Sequence, residues 1–413
     1  MRELPEGWGT GSLDEITRPD RRIIYGIVQA GPHVERGIPY IRSTDVGGRL
    51  VVGRLLRTSP EIAARYKRSV VRTGDIVFSL RGNIGETSIV PPELDGANLT
   101  QGTARISLRH EYVNEYVRSA LEEHSVRKHI DAVAKGSTFR EITIEDLRKV
   151  RIALAPQHEQ GRIAEMRIEW DRAIEEVGRL VEGKLMRKRG LMQQLLTGRT
   201  RFKEFVKGSG KVKTRYGDFP KDWSQVHMGD IADEVGVKNG GGHALPVLSC
   251  TKHRGLVNSL EYFGKRMFSA DTSTYKVVRR GDFAYATNHV EEGSIGYQGL
   301  HDAALISPMY TVFRTRAGVD HSFFFKLVKT ELYRHIFEVN TSGSIARRGG
   351  LRWDEFALIK VFLPTLPEQE RIAAVLETCD REIVLLEKQL VALKEQKRGL
   401  MQKLLTGEVR VKV

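Results

Sequence analysis

KRGLMQQLLTG at 188–198 and KRGLMQKLLTG at 397–407 differ at one position in eleven. Chance does not supply such a pair, so the chain carries an internal duplication. The match runs back without a gap at an offset of 209 residues to Gln160 and Gln369. It passes through Arg162, Ile163 and Ala164 against Arg371, Ile372 and Ala373, and through Asp171 and Arg172 against Asp380 and Arg381. Further upstream, LPEGW at 4–8 answers FPKDW at 219–223, and VVRTGD at 70–75 answers VVRRGD at 277–282. KGST at 135–138 faces SGSI at 342–345, and ITIEDL at 142–147 faces LRWDEF at 351–356. One unit is written twice, and its interiors have diverged more than its ends.

The repeated ends read as helices. Ile372, Leu376, Cys379, Ile383, Leu386, Leu390, Leu393, Lys397, Leu400 and Leu404 are spaced four and three apart without interruption, a heptad seam that predicts a left-handed coiled coil. The first copy keeps the seam through Ile163, Trp170, Ile174, Val177, Val181, Leu191 and Leu195, and Arg167, Lys184 and Lys188 interrupt and weaken it. Each helix would be roughly 57 Å long at the α-helical rise. The economical partner for each apolar stripe is the other copy, and duplicated units that pack about a pseudo-twofold axis run antiparallel. Gly198 and Gly407, each after Leu-Leu-Thr, read as C-terminal caps.

The stretches before the helices are α+β in pattern. The first shows short strand candidates at 38–42, 70–71, 76–80 and 89–90, a helix at 113–135 and a last strand at 150–154. The second repeats them at 277–278, 283–285, 309–314 and 359–363, with a helix near 323–337. Gly74-Asp75 and Gly281-Asp282 read as turns entering strands, and Trp8 and Trp223 as core anchors. The expected division is a head at 1–155, a helix at 156–198, a basic flexible linker at 199–211, a second head at 212–364, a helix at 365–407 and a tail at 408–413. The expected shape is two heads held apart by a rigid rod.

Composition narrows the function. The 413 residues carry 66 Lys and Arg against 52 Asp and Glu, a formal charge of +14 that favours a polyanionic partner. A mean hydropathy of −0.34 and the lack of a long apolar run exclude a membrane span and point to the cytoplasm. Two cysteines, Cys250 and Cys379, exclude a disulfide framework or a thiolate-rich zinc site. No HExxH, Cys-x-x-Cys or GxGxxG element occurs, and GSGKVKT at 208–214 fails the phosphate-loop spacing, so no cofactor, metal or catalytic residue is expected in this chain.

Some residues in both heads suit DNA. Arg36, Arg42, Arg49, Arg81, Asn83, Thr100, Gln101 and Arg105 in the first head include guanidinium forks and carboxamides able to read guanine and adenine edges. The second offers Lys252, His253, Arg254, Asn288, His289, Arg347 and Arg348. For each of them a solvated surface position is the plain alternative. The small turns at Lys135 and Ser137, and at Ser344, would let backbone N–H groups approach a phosphate, and an ordinary turn accounts for them equally well.

With these motifs assembled, the chain resembles the specificity subunits of type I restriction-modification systems along nearly its whole length. PEQERIAAVLE at 367–377, the twin helix endings, the paired LPEGW and FPKDW, GIPYIRSTDV at 37–46, TGDIVFSLRGNIG at 73–85 and NLTQGTARI at 98–106 carry the resemblance. APQHEQ at 155–160 departs from the pattern that LPEQ at 366–369 keeps. The resemblance implies two target recognition domains, each reading one half of a bipartite, asymmetric double-stranded DNA site. It implies helices that set the spacer and dock two modification subunits, with restriction subunits completing the assembly. S-adenosylmethionine, ATP and Mg2+ would then belong to the partner subunits. The alternatives are a non-catalytic scaffold whose coiled coil and heads bind protein, and a self-sufficient methyltransferase or nuclease.

Overall fold

The computed structural model describes residues 4–136, 140–208, 210–240, 244–342 and 350–412. It forms two compact units, Met1–Gly178 with Lys388–Val413, and Arg179–Glu387. Each therefore combines one head with the first half of its own long helix and a segment of the other copy's helix.

In the first unit, Gly9–Ser12 pairs antiparallel with Arg151–Leu154 and closes the head at its root. Between them lies a four-stranded antiparallel sheet in the order Ile24–Tyr25, Thr103–Ile106, Ile76–Ser79, Thr87–Ile89. A second sheet runs Arg57–Thr58, Ile38–Ile41, Asn98–Leu99, its last pair parallel. All four residues of Ile76–Ser79 are buried. Ile76 and Phe78 enter a core with Trp8, Tyr116, Leu121 and Ile130, while Val77 turns to a smaller one with Ile41, Val71 and Leu99. That two-faced burial is why the strand is legible as an apolar run. Val71 exchanges backbone hydrogen bonds with Ala97 and Gly96 but does not extend into the strand expected at 70–71.

The single helix expected at 113–135 is two, Asn114–Glu122 and His124–Val133. Glu123 breaks it, because its carboxylate accepts the backbone N–H groups of Ser125 at 2.9 Å and Val126 at 3.1 Å and so starts a new helix.

The second unit repeats this plan. Ser224–His227 pairs with Lys360–Leu363, and the main sheet runs Ala232–Glu234, Tyr310–Thr315, Asp282–Ala286, Ile295–Tyr297. Beside it lie Val237–Lys238, Lys276–Arg279 and Ala303–Ile306, and a hairpin of Leu248–Thr251 with Gly255–Asn258. The helix expected at 323–337 is again two, His321–Val328 and Glu331–Ser342. Phe283 and Phe313 stack with ring centroids 5.3 Å apart, and Phe324 and Phe356 complete an aromatic core.

The repeated VVRTGD and VVRRGD are turns into strands, as read. Gly74 and Gly281 have φ of 89° and 94°. Asp75 accepts the N–H of Arg72 and the hydroxyl of Ser107, at 2.7 and 2.6 Å. Asp282 accepts the N–H of Arg279 and the guanidinium of Arg314, both at 2.7 Å. A β-turn carboxylate that satisfies its own loop explains the Asp in both copies.

The long helices span Gln157–Leu195 and Leu366–Leu405. Every expected apolar seam position is buried or half-buried, while off-seam Arg162, Glu165, Arg172 and Glu176 are exposed. The helix segments run antiparallel within each unit. In the first, Lys397 pairs with Asp171; in the second, Lys188 pairs with the equivalent Asp380 and Lys184 with Glu382 at 2.7 Å. The polar interruptions of the first seam are thus each partnered by a carboxylate. Arg167, 4% exposed, donates to Ser119 at 3.0 Å and Glu122 at 3.1 Å; against the opposing effect of burial, Glu122, Asp171 and Glu115 keep its pKa raised.

The junction motifs share one geometry. Gly198 and Gly407 have φ of 66° and 72°, and a Cβ there would overlap Pro220 and Pro5 respectively. The turns LPEGW and FPKDW thus seat on the glycine that ends a long helix, within one unit in each case. Buried Glu368 takes a bidentate pair from Arg201, at 2.8 Å for both contacts, and the equivalent Glu159 takes Arg410. Gln160 accepts the N–H of Val113 at 3.0 Å, as Gln369 accepts that of Asp320 at 2.9 Å.

Arg201 also corrects the expected flexible linker. It bonds Asp222 at 2.6 Å and the carbonyl of Phe205 at 2.9 Å, and Lys211–Thr214 forms a hairpin with Gly217–Pro220. Buried ion pairing anchors a segment whose Lys, Arg and Gly content suggested a loose tether.

Gly407→Ala should cost the first unit about 2–4 kcal/mol, from the left-handed backbone and the overlap with Pro5 together. Chemical denaturation of the full chain measures it, and Gly399→Ala, at an open helical position, is the control.

Candidate nucleic-acid interface

In the first unit three loops converge beyond the strands Ile38–Ile41, Ile76–Ser79 and Asn98–Leu99. The N–H of Thr100 and the hydroxyl of Thr103 both donate to the carbonyl of Ile41 at 3.1 Å. Gly47 donates to the Ser88 hydroxyl at 3.0 Å, and Gly82 and Gly102 both face Ser43. The segment after the second helix joins this edge. Ile142 donates to the carbonyl of Leu80 at 3.1 Å, Lys135 and Glu141 exchange backbone bonds at 2.9 Å, and Arg81 pairs with Glu141 at 2.9 Å.

Arg42, Arg49, Arg81, Asn83, Thr100, Gln101 and Lys135 therefore lie on neighbouring loops. Arg36 does not, because it sits in the turn entering Ile38–Ile41, whereas Arg42 leaves that strand. Arg49, Asn83 and Lys135 are exposed, and Thr100 and Gln101 half-buried. A cleft of about 580 Å³ lies among Gly47, Gly82, Asn83, Arg127 and Arg140. Arg127, which pairs with Glu86 at 3.2 Å, and Arg140 were not singled out in the sequence. The signal for Arg127 was present in Arg334, at the same place in the second head.

Two expected base readers have other work. Arg105 is 3% exposed; it donates to the carbonyls of Arg68, Val70 and Arg22 at 2.6, 2.7 and 3.3 Å, and burial pulls its pKa down to about 10. It ties two remote segments, 68–70 and Arg22, to its own strand and presents nothing to a ligand. The fork of Arg42 is taken by Asp45 through two bonds of 2.9 Å, which hold its pKa above the usual value.

In the second unit the turn at 252–254 and the loop at 288–293 meet. Lys252 pairs with Glu292, and the Lys329 ammonium donates to the carbonyls of Lys252 at 3.0 Å and Gly293 at 2.6 Å. Burial depresses the pKa of Lys329 to about 8. It is a peg that sequence reading missed, since a helical lysine looks solvated. His253, Arg254 and Asn288 are exposed, and Asn288 accepts the N–H of Gly350 at 3.2 Å. His289, Glu291 and Glu292 bring their polar tips within 4.8 Å of one another, where Lys252 already balances Glu292. Ser137, Ser344, Arg347 and Arg348 lie outside the described residues.

On the expectation that this edge meets DNA, Asn83→Ala should leave unfolding unchanged and relax base preference at one position by about 1–3 kcal/mol. Arg105→Ala should do the reverse, lowering the stability of the first unit while the preferred bases stay the same. Denaturation and competition binding on the same two variants separate these roles.

Both units thus place basic and amide side chains on loops at one sheet edge, beside main sheets of the same strand order, with different identities at each. No helix among the described residues is long and apolar enough to cross a membrane.

Comparison with known proteins agrees. Residues 5–182 match the family model described as "Type I restriction modification DNA specificity domain". The chain is 28% identical over 195 residues to the type I restriction enzyme EcoBI specificity subunit of Escherichia coli, a match covering 47% of this chain and 41% of that protein. It is 24% identical to the putative MjaX specificity subunit of Methanocaldococcus jannaschii, over 99% of this chain and 95% of that one. The S subunit of a type I restriction-modification system from M. genitalium shares the fold, with a TM-score of 0.57 at 14% identity over 98% of this chain and 97% of that one.

Proposed function

Because residues 5–182 match the model of the type I restriction modification DNA specificity domain and the similar relatives are specificity subunits, we propose that the chain belongs to that family and is the sequence-reading, non-catalytic subunit of such a complex. Each head reads one half of a bipartite site on double-stranded DNA. The observation that carries this reading is the pairing of like scaffolds with unlike edge loops: Asn83, Gln101 and Arg81 in one unit, His253, Arg254 and Asn288 in the other. Equivalent frames with different readers suit a site whose halves differ.

Phosphate contacts supply salt-dependent affinity, and base-edge contacts supply discrimination. Linking two readers in one chain makes the second contact intramolecular, so both halves are needed for tight binding. Methyl transfer from S-adenosylmethionine to adenine belongs to two modification subunits docked on the long helices. ATP- and Mg2+-dependent translocation and cleavage belong to restriction subunits. The working compartment is the cytoplasm, with the DNA. Mapping modified adenines in DNA from cells carrying the complete system tests the proposal. A split, asymmetric sequence is expected, and modification without sequence preference would overturn it.

The helices, of 39 and 40 residues, act as the ruler between half-sites. Inserting four residues into both, at Val181 and Leu390, adds about 6 Å, or roughly two base pairs. The gap in the mapped site should lengthen while both half-sites stay the same; altered half-sites with an unchanged gap would sink the ruler.

A further inference from the structure

The second head carries a segment that breaks the ordinary burial rule. Residues 260–267 are exposed without interruption, and four of the eight are large and apolar: Leu260 at 57%, Tyr262 at 46%, Phe263 at 42% and Met267 at 56%. Scattered exposed apolar residues are normal, but a contiguous cluster marks a contact surface. Its root is firm. Ser259 is fully buried, its N–H donating to the carbonyl of Val247 at 2.9 Å and its hydroxyl 3.0 Å from that of Ser249. At the other end the N–H of Ser269 bonds the hydroxyl of buried Tyr275 at 3.2 Å. The tip turns on Gly264, at a φ of 64°.

Cations decide the occupant. Lys265 and Arg266 follow the turn, and the Arg254 guanidinium lies over the Tyr262 ring at 5.8 Å, against a single carboxylate, Glu261, whose side chain accepts from Asn258 at 3.0 Å. Arg254 belongs to the turn at 252–254, so the prong continues the face already assigned to DNA. In the first head the segment at the same place in the chain order, between Arg57–Thr58 and VVRTGD, exposes no large apolar side chain. The prong is a property of one head only.

We propose that this prong is a DNA wedge: Phe263 and Met267 press between base pairs from the minor groove of the half-site read by the second head, and Lys265 and Arg266 hold the flanking phosphates. Phe, Leu and Met wedges of this kind unstack a base step and bend the duplex. Such distortion is what a partner enzyme that takes a base out of the stack requires. The inference rests on the DNA-reading function proposed above.

The test uses the full chain with its modification subunits and a duplex of about 40 base pairs carrying the mapped site, with 2-aminopurine placed in turn through each half. Wild type should raise the fluorescence at one step of the half-site read by the second head. Phe263→Ala/Met267→Ala should abolish that rise and weaken binding about tenfold, with the salt dependence unchanged. Lys265→Ala/Arg266→Ala should keep the rise and reduce the slope of log affinity against log salt by about 1.8. Wild-type fluorescence and affinity in both variants would overturn the wedge, as would normal DNA binding by the apolar variant together with failure to assemble with the modification subunits. If wild type itself selects no site, the proposed function has failed instead.

Discussion

Arg201→Ala should destabilise the second unit by about 3–5 kcal/mol, the largest effect expected of any single substitution at the junctions. Glu368 is 1% exposed, and both its oxygens are held by Arg201, itself tied to Asp222 and to a backbone carbonyl. Removing the guanidinium leaves a carboxylate charged and dry, and the loss comes mainly from that orphaned charge. Replacing both partners should therefore hurt less than replacing one. Arg201→Met/Glu368→Met should recover most of the stability, and hydrogen exchange at Ser224–His227 reads it locally. A double variant as unstable as the single one would show that the pair does more than neutralise itself. Arg410→Ala is an internal comparison, milder because Arg410 is 44% exposed.

The second large effect is on specificity. Exchanging residues 224–363 for the same span of a relative with a different site should replace one half-site completely and leave the other and the gap untouched. The cut points follow from the fold. Ser224–His227 and Lys360–Leu363 pair with each other, so the exchange carries the closing strands of the head together. Trp223 and Pro220 stay behind with the helix end at Gly198 that they seat. Mapping modified adenines reads the outcome, and a change in both half-sites would mean the heads do not act separately.

Much of this was legible in the sequence where both copies face the same physical demand. The heptad seam and Gly198 and Gly407 recur because packing and a left-handed cap admit few solutions. The second half of the explanation was not legible: that Pro5 and Pro220 cover those glycines, or that Glu159 and Glu368 wait for arginines more than 160 residues away in the chain. Long-range pairing leaves no local pattern. The head interiors were harder still. Ile24–Tyr25 and Asn98–Leu99 are too short to show a period. Thr103–Ile106 was hidden because Arg105 sits mid-strand, its guanidinium bonded to three carbonyls on two distant segments. For the same reason it passed for a base reader. Exposed loop residues such as Asn83 and Arg254 read correctly as surface, and only the structure shows which of them share an edge.

The composition of the two units has a consequence for synthesis. The second unit is contiguous in the chain and has all its parts once residue 387 has left the ribosome. The first does not: Met401, Leu404 and Leu405, made after the whole of the second unit, complete the core around Trp8, Leu13 and Ile152. The part translated first is thus finished last. Released chains truncated after residue 387 should hold a protease-resistant second head and a first head that is still open to cleavage, so an interrupted message yields no competent reader.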